Sequence, residues 1–424
     1  MKYLVLIIDG ASGWPVPAWG GRTSLEKART PHLDRLAREG IVGLAHNVPP
    51  GMEPSSAVAC MSVMGFDPTV YYAGRGPIEA MALGIELEPG QVALRCNLVT
   101  VLEGRLVSYS AGNISSEEAA QLVAALREGM ADLFQDEGGR PRLSLHPGVG
   151  FRNILTVRDG EDLLATSFTA PHDITDREVA EFAPVGPGAP LVEILTERSK
   201  EILADHPVNL ARRARGQLPA TQIWLFWPGM RPTEMPAFAE VYGGKRAALT
   251  SAVDLLRGLA MQTRIDVINV PGVTDGADND FRGQMAGALE ALNRYDVVFV
   301  HVEAPDAAAH AGDGGQKVWA LEQVDSLMVA QVLDWGHEPL SLLVLPDHPT
   351  PLAIKTHVAE PVPFVMWGPG FASNGAAAFS EAEARATGLA VAPGHLLMSQ
   401  FLGCSRRGGR LSPHSQTPGS LSSL

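Results

Sequence analysis

The sequence predicts an α/β protein, a mostly parallel sheet with helices on both faces. Three observations carry that expectation. The 424-residue chain is 46% hydrophobic, enough for a large core and, at ~100–200 residues per domain, for two domains or three. From Lys245 onward, apolar runs of strand length alternate with stretches of helical periodicity, as in parallel strands joined by crossover helices. Several of those runs lack polar alternation, which is the mark of strands buried on both faces.

In chain order, the run 3–8 reads as such a buried strand, and helical spacing follows over 31–39, with His32 at the helix start. Ser55 and Ser56 then cap an apolar stretch, 57–64, that stops at Gly65, so a short helix with serine at its start is expected. From about Ala73 the texture changes. Segments 91–101 and 104–110 read as half-buried strands, and 115–129 as an amphipathic helix with Ser115 or Ser116 at its N-cap and glutamates in its first turn. Proline and glycine are dense over 184–190 and 228–236, which marks boundaries or hinges. The α/β stretch then gives helices over 250–260, 281–295 and 317–335, and strands over 264–270, 296–303 and 340–345. The tail 405–424 is rich in serine, glycine and proline without periodicity and is expected to be disordered.

Composition narrows the function. With 33 Lys and Arg against 47 Asp and Glu, the formal charge is −14. Such a surface repels phosphate backbones and anionic lipid, so neither nucleic acid nor membrane is expected as a partner. A small anionic substrate stays compatible, because arginines and metal ions reverse the field inside a cleft. The three cysteines, Cys60, Cys96 and Cys404, are far apart in the sequence and show no metal-finger spacing, which fits a reduced, cytoplasmic protein. No segment approaches the ~20 apolar residues of a membrane span.

Three buried strands end alike. Asp9 closes the first, Asp306 and His310 follow the run 296–303, and Asp347 and His348 follow 340–345. Ligands of open parallel sheets bind outside the carboxyl ends of the strands, so these groups are expected to share one crevice. Asp306 and His310 are four apart and share a face if a helical turn follows the strand. His357 is placed to close the set. His301 and Glu303, read as lying on the strand itself, are expected to orient ligands or satisfy core hydrogen bonds. Carboxylates mixed with imidazoles suit Zn, Mn or similar divalent ions better than Ca. Two such ions ~3.5–4 Å apart can clamp the attacking and leaving oxygens of a phosphoryl displacement. Ser56, opening a helix whose free N–H groups favour a phosphate, is the candidate nucleophile.

The ordered motifs LIIDGASGWP, SSAVACMSVMGFDPTVYYAGRGPIEA, ALRCNLVTV, PHDIT, HVEAPDAAAH, LPDHPTP and THVAEPVP resemble those of the archaeal-type cofactor-independent phosphoglycerate mutases, within the alkaline phosphatase superfamily. The resemblance runs from Met1 to about Leu402. It implies a phosphatase-like core, 1–72 and 237–404, interrupted by a smaller inserted α+β domain, 73–236, that binds substrate and acts as a lid. It implies two divalent metal ions, Mn2+ first, with Zn2+, Co2+ or Mg2+ as alternatives. Asp9, Ser56, Asp347 and His348 would hold one ion and Asp306, His310 and His357 the other, with Ser56 becoming phosphoserine. Arg75 matches a patterned family position and Lys245 a lysine that contacts the phosphoryl group. Arg212, Arg213 and Arg215 are candidates for the substrate's carboxylate or phosphate, and His172 and Asp173 for the cleft lining.

The chain departs from the family pattern at Ala57 and Ala307, where acidic residues are usual, and at Gln284, where a lysine is frequent. The activity implied is interconversion of 2- and 3-phosphoglycerate, acting on a small phosphorylated carboxylate. The alternative is another phosphoryl transfer on the same core, as a phosphatase, a phosphonate hydrolase or a homoserine-kinase-like enzyme.

Overall fold

The fold is taken from a computed structural model, which describes the backbone over 1–135, 139–140, 142–230, 235–407 and 410–413 and side chains over the same residues up to 403. The chain divides into two compact units, Met1–Tyr72 with Glu234–Leu424, and Ala73–Thr233, which interrupts the first in sequence.

The first unit is built on an eight-stranded sheet. The strand Lys2–Ile8 lies at its centre, parallel to Val297–Val302 on one side and to Leu340–Leu345 on the other. Val297–Val302 pairs in parallel with Ala247–Thr250, which pairs in parallel with the short Asp266–Val267. Beyond Leu340–Leu345, the strand Val362–Trp367 runs antiparallel to both its neighbours, the second being Ile41–Ala45, and Ala390–Val391 closes that edge. The sheet is thus mostly parallel. Its central strands are apolar apart from Lys2, His301 and Ser341, because both faces are covered. Leu4, Leu6, Ile8, Val298, Val300, Leu342 and Val344 join one core cluster with Leu33 and Leu36 of the helix Pro31–Glu39 and Met285 and Ala288 of the helix Phe281–Ala291. Val5, Ile7 and Phe299, on the opposite parity, are equally buried, and Phe299 meets Phe238 edge to face at 5.7 Å.

The helix expected over 317–335 is one long rod with an irregular centre. Gly314–Gln323 and Ala330–Leu333 are α-helical, and Val324–Val329 is a π-helical turn. From that turn Asp325 accepts hydrogen bonds from Leu33 N and contacts His32 Nδ1, both at 2.7 Å, so it supplies the N-terminal partner that the Pro31 helix lacks in its own Thr30. Of the strand expected over 264–270, Asp266–Val267 forms.

The second unit is α+β. Its antiparallel five-stranded sheet runs from Arg105–Ser108 through Val92–Leu102 and Arg152–Val157 to Leu143–His146, with Gln222–Met230 also paired to Val92–Leu102. Helices Ser116–Gly129 and Ala189–Ala204 bury Leu122, Val123, Leu126, Val192 and Leu195 against it. Ser115 caps the first of these, accepting from Glu118 N at 3.2 Å. Of the tail expected to lack structure, Cys404–Arg407 and Arg410–Pro413 pair as an antiparallel hairpin, and 414–424 lie outside the described residues.

Candidate active site

The carboxyl edge of the large sheet gathers the acidic and imidazole groups, because parallel strands present the same end to the same side. Asp9 follows Lys2–Ile8 directly, Asp347 and His348 lie just past Leu340–Leu345, and the helix Ala304–Ala311 starts two residues after Val297–Val302. That helix carries Asp306 and His310 one turn apart, with His310 Nε2 3.0 Å from Asp306 Oδ2. His357 reaches the same place from a loop, its Nε2 2.8 Å from His310 Nε2 and 3.6 Å from Asp306 Oδ1. Asp306, His310 and His357 therefore form one group whose ligand atoms lie within 4.8 Å of one another. Asp9, Asp347 and His348 form a second, with His348 Nε2 3.2 Å from Asp347 Oδ2 and 3.6 Å from Asp9 Oδ1. The rings of His348 and His357 stack at 3.9 Å, so the two groups are neighbours.

Ser56 stands at the first position of the helix Ser56–Val63, and its Oγ is 3.2 Å from His348 Nε2. Ser55 is the N-cap, accepting from Val58 N at 3.4 Å. The helix ends where Gly65 turns at φ +87°, with the Tyr242 hydroxyl where a Cβ would stand and donating to Gly65 O at 2.9 Å. Two adjacent serines thus divide capping and site-facing positions.

The electrostatics fit a cation. Asp9, Asp306 and Asp347 are buried, and no lysine or arginine forms an ion pair with them among the described residues. Asp9 Oδ1 and Glu303 Oε2 are buried without a hydrogen-bond partner. Burial, then Asp347 and Asp306, push the Asp9 carboxyl well above its usual range. Burial, then Asp9, does the same to Glu303. Burial also works upward on Asp306, but hydrogen bonds from His310 and His357 prevail and hold it well below. His310 is raised to about 9, chiefly by its bond to Asp306, whereas burial pulls His348 down to about 4. Orphaned carboxylate oxygens beside converging imidazole nitrogens are a donor set that a divalent ion would satisfy. The outer bonds agree. His310 Nδ1 lies 2.8 Å from Lys355 O and donates to it, so Nε2 is the nitrogen left to a cation once it gives up its own proton.

His301 and Glu303, expected to orient ligands or satisfy core hydrogen bonds, adjoin the site, and Thr350 is a group the sequence did not single out. Glu303 lies past the strand end rather than on it, and with Asp9 and His301 makes a third cluster of ligand atoms. His301 contacts Asp9 Oδ2 at 2.8 Å through Nε2 and Ser251 Oγ at 3.0 Å through Nδ1. Thr350 Oγ1 donates to Asp306 Oδ1 at 2.5 Å and lies 3.3 Å from His348 Nδ1. The only sequence signal for it was a hydroxyl two residues past a candidate ligand.

The substrate candidates separate. Lys245 lies just before Ala247–Thr250, at the amino edge of the sheet, with Nζ 5.9 Å from the Tyr3 ring centroid. The ligand groups stand at the other edge, roughly 20 Å away along a six-residue strand. The phosphoryl contact expected of Lys245 is corrected accordingly. Arg212 is buried, paired with Glu118 and donating to Leu218 O at 2.9 Å and Ala111 O at 2.8 Å. It secures the second unit internally, which corrects its reading as a substrate contact. Arg215 pairs with the same Glu118 at 2.5 Å from an exposed position, and the exposed Arg213 donates to Ala204 O at 2.7 Å. Arg75 is partly open, bonded to Glu79 at 2.7 Å and stacked 3.8 Å over Trp227. His172 meets Trp227 at 5.4 Å and Tyr109 at 6.2 Å, with the Asp173 carboxylate 3.7 Å away. Arg75 and His172 therefore share one aromatic surface of that unit. Among the departures, Gln284 is buried and donates to His301 O at 2.9 Å, Ala57 is buried, and Ala307 is exposed.

A mostly parallel sheet bearing carboxylates, imidazoles and a helix-opening serine at its carboxyl edge defines an α/β protein whose site lies outside the carboxyl ends of its strands. Two solved structures share the fold. One is a protein of Pyrococcus horikoshii, with TM-score 0.76 and 28% identity, matched over 95% of this chain and 97% of its own. The other is a cofactor-independent phosphoglycerate mutase of Thermoplasma acidophilum, with TM-score 0.60 and 26% identity, over 95% and 99%. The family model for 2,3-bisphosphoglycerate-independent phosphoglycerate mutase matches residues 37–209. A protein of that name from Methanothrix thermoacetophila is 43% identical over 401 residues, 94% of this chain and 98% of its own length. A probable one from Geobacter sulfurreducens is 41% identical over 410 residues, 95% and 100%. The chain belongs to the 2,3-bisphosphoglycerate-independent phosphoglycerate mutase family.

Proposed function

We propose that this enzyme interconverts 2- and 3-phosphoglycerate through a phosphoserine at Ser56, with two divalent ions, Mn2+ first among the candidates. Family membership supports the substrate pair. The observation that supports the route is Ser56 Oγ, set at a helix N-terminus and 3.2 Å from His348 Nε2, beside two convergent carboxylate–imidazole groups.

Asp306, His310 and His357 would hold one ion, and Asp9, Asp347 and His348 the other with Ser56. Bound there, the ions would neutralise the buried carboxylates and favour the ionised serine. The chain's own residues do the rest. Ser56 Oγ gives up its proton and attacks phosphorus, the P–O bond to glycerate breaks, and the leaving glycerate oxygen takes up one proton to become a hydroxyl. The free N–H groups opening the helix Ser56–Val63 receive the phosphoryl oxygens. The glycerate re-orients, and its other hydroxyl attacks the phosphoserine, returning Ser56 to its starting state. Water must lose the competition for phosphoserine, and we assign its exclusion to closure of the inserted unit. Arg75, His172 and Asp173 are the candidates there for holding the carboxylate, with Arg215 as a further cation.

The test is product analysis. Supplied with 3-phosphoglycerate and Mn2+, the purified chain should form 2-phosphoglycerate without added 2,3-bisphosphoglycerate. Release of inorganic phosphate at the rate of isomerisation, or turnover of a phosphonate or of ATP with homoserine in its place, would replace the mutase assignment.

A further inference from the structure

Lys317 is fully buried, and no carboxylate pairs with it among the described residues. Burying an ammonium is unfavourable; Asp306, Glu381 and Asp9 favour the charge from beyond ion-pair distance, and its direct partners are backbone carbonyls. Its Nζ donates to Thr350 O at 2.9 Å and Ser12 O at 3.2 Å. Ser12 O also accepts from Thr350 N at 3.1 Å. The lysine therefore fastens the loop that begins with Asp9 to the loop that begins with Asp347. It does so from the helix Gly314–Gln323, which follows the helix carrying Asp306 and His310 after a turn at Gly312. Two ligand-bearing loops meet at one ammonium, carried on the helix after the one that bears Asp306 and His310.

The same junction passes through Thr350 in the other direction. Its hydroxyl has one proton and donates it to Asp306 Oδ1 at 2.5 Å. It can then only accept from His348 Nδ1, 3.3 Å away. That fixes His348 as the Nδ1–H tautomer and leaves Nε2 bare toward Ser56, Asp9 and Asp347. The packing is tight, since a Cβ on Gly10 would stand 2.3 Å from Asp306 Oδ1 and 2.7 Å from Thr350 Oγ1.

We infer that Lys317 and Thr350 are positioning residues that couple the two metal groups, Lys317 by fixing the spacing of their loops and Thr350 by joining Asp306 to the His348 tautomer. The inference rests on the two-ion reading above.

The experiment is titration of the chelator-treated full chain with Mn2+ by calorimetry, alongside kcat and KM for 3-phosphoglycerate and a thermal melt. The wild type is compared with Lys317→Met, Thr350→Val and Thr350→Ser. Thr350→Val keeps the shape and should weaken Mn2+ binding ~10–100-fold, with kcat falling and KM little changed. Thr350→Ser keeps the hydroxyl and should restore both. Lys317→Met should remain folded in the metal-free state and lose Mn2+ affinity by a similar factor. Wild-type isotherms in Thr350→Val overturn the Thr350 coupling, and in a folded Lys317→Met they overturn the clamp. A Lys317→Met chain that does not fold also overturns the clamp, because it makes the lysine a requirement of the fold. A wild-type chain that binds fewer than two ions overturns the two-ion reading itself, and the inference with it.

Discussion

Adjacent serines give the sharpest test at the scale of single residues. Ser56→Ala removes the candidate nucleophile from the N-terminal turn of a helix whose cap is a different residue. Turnover should fall by several orders of magnitude while the melting temperature stays near wild type. Ser55→Ala should cost about 1 kcal/mol in a denaturant titration and leave most activity. The reverse pattern would move the nucleophile by one position. His310 gives a pH test on the chelator-treated protein. Its pKa is raised to about 9 by Asp306, so the pair's stabilisation is complete below the usual histidine value of ~6.5 and fades as pH rises through about 9. Melts across that window should show the loss, and His310→Gln should flatten it. Deprotonation frees Nε2 for a cation, so Mn2+ affinity should rise over the same range. Most of these side chains were legible because each follows an apolar run whose end it marks. Thr350 and Ser251 were not, since a hydroxyl in a loop carries no periodic signal. Lys245 was misplaced because matching a motif says nothing about which edge of the sheet a residue occupies; the strand it precedes runs parallel to its neighbour and puts it at the amino edge.

Elements set what those residues can reach. The turn from Lys2–Ile8 into the site depends on Gly10 at φ +59°, pressed against Asp306 and Thr350. Gly10→Ala adds a Cβ where none fits and forces a left-handed backbone on alanine. It should destabilise the chain by at least ~1–3 kcal/mol and lower Mn2+ affinity together, measured by melting and by metal titration. A variant that melted and bound Mn2+ like wild type would show that the turn can relax away from Asp306. Helices and strands with strong patterning were legible almost to the residue, as at Leu340–Leu345 and Ser116–Gly129. The π-turn at Val324–Val329 was not, because its apolar spacing reads as ordinary helix. Its reason lies in another element: Asp325 is turned to serve the start of Pro31–Glu39.

The whole molecule combines a mostly parallel sheet with a second unit that interrupts it in sequence, and their order in the sequence follows composition. The order of strands within the sheet does not. Local periodicity cannot say that Val362–Trp367 enters antiparallel between Leu340–Leu345 and Ile41–Ala45, because only packing decides neighbours. At this scale the central claim is that phosphoryl transfer starts at Ser56 and ends on glycerate rather than on water. The direct measurement is a time course with 3-phosphoglycerate and the Mn2+-loaded chain, following 2-phosphoglycerate and inorganic phosphate together, with Ser56→Ala as control. The account predicts 2-phosphoglycerate accumulating to equilibrium with little phosphate, no requirement for 2,3-bisphosphoglycerate, and a silent control. Phosphate appearing as fast as the isomer, or undiminished isomerisation by Ser56→Ala, would contradict it.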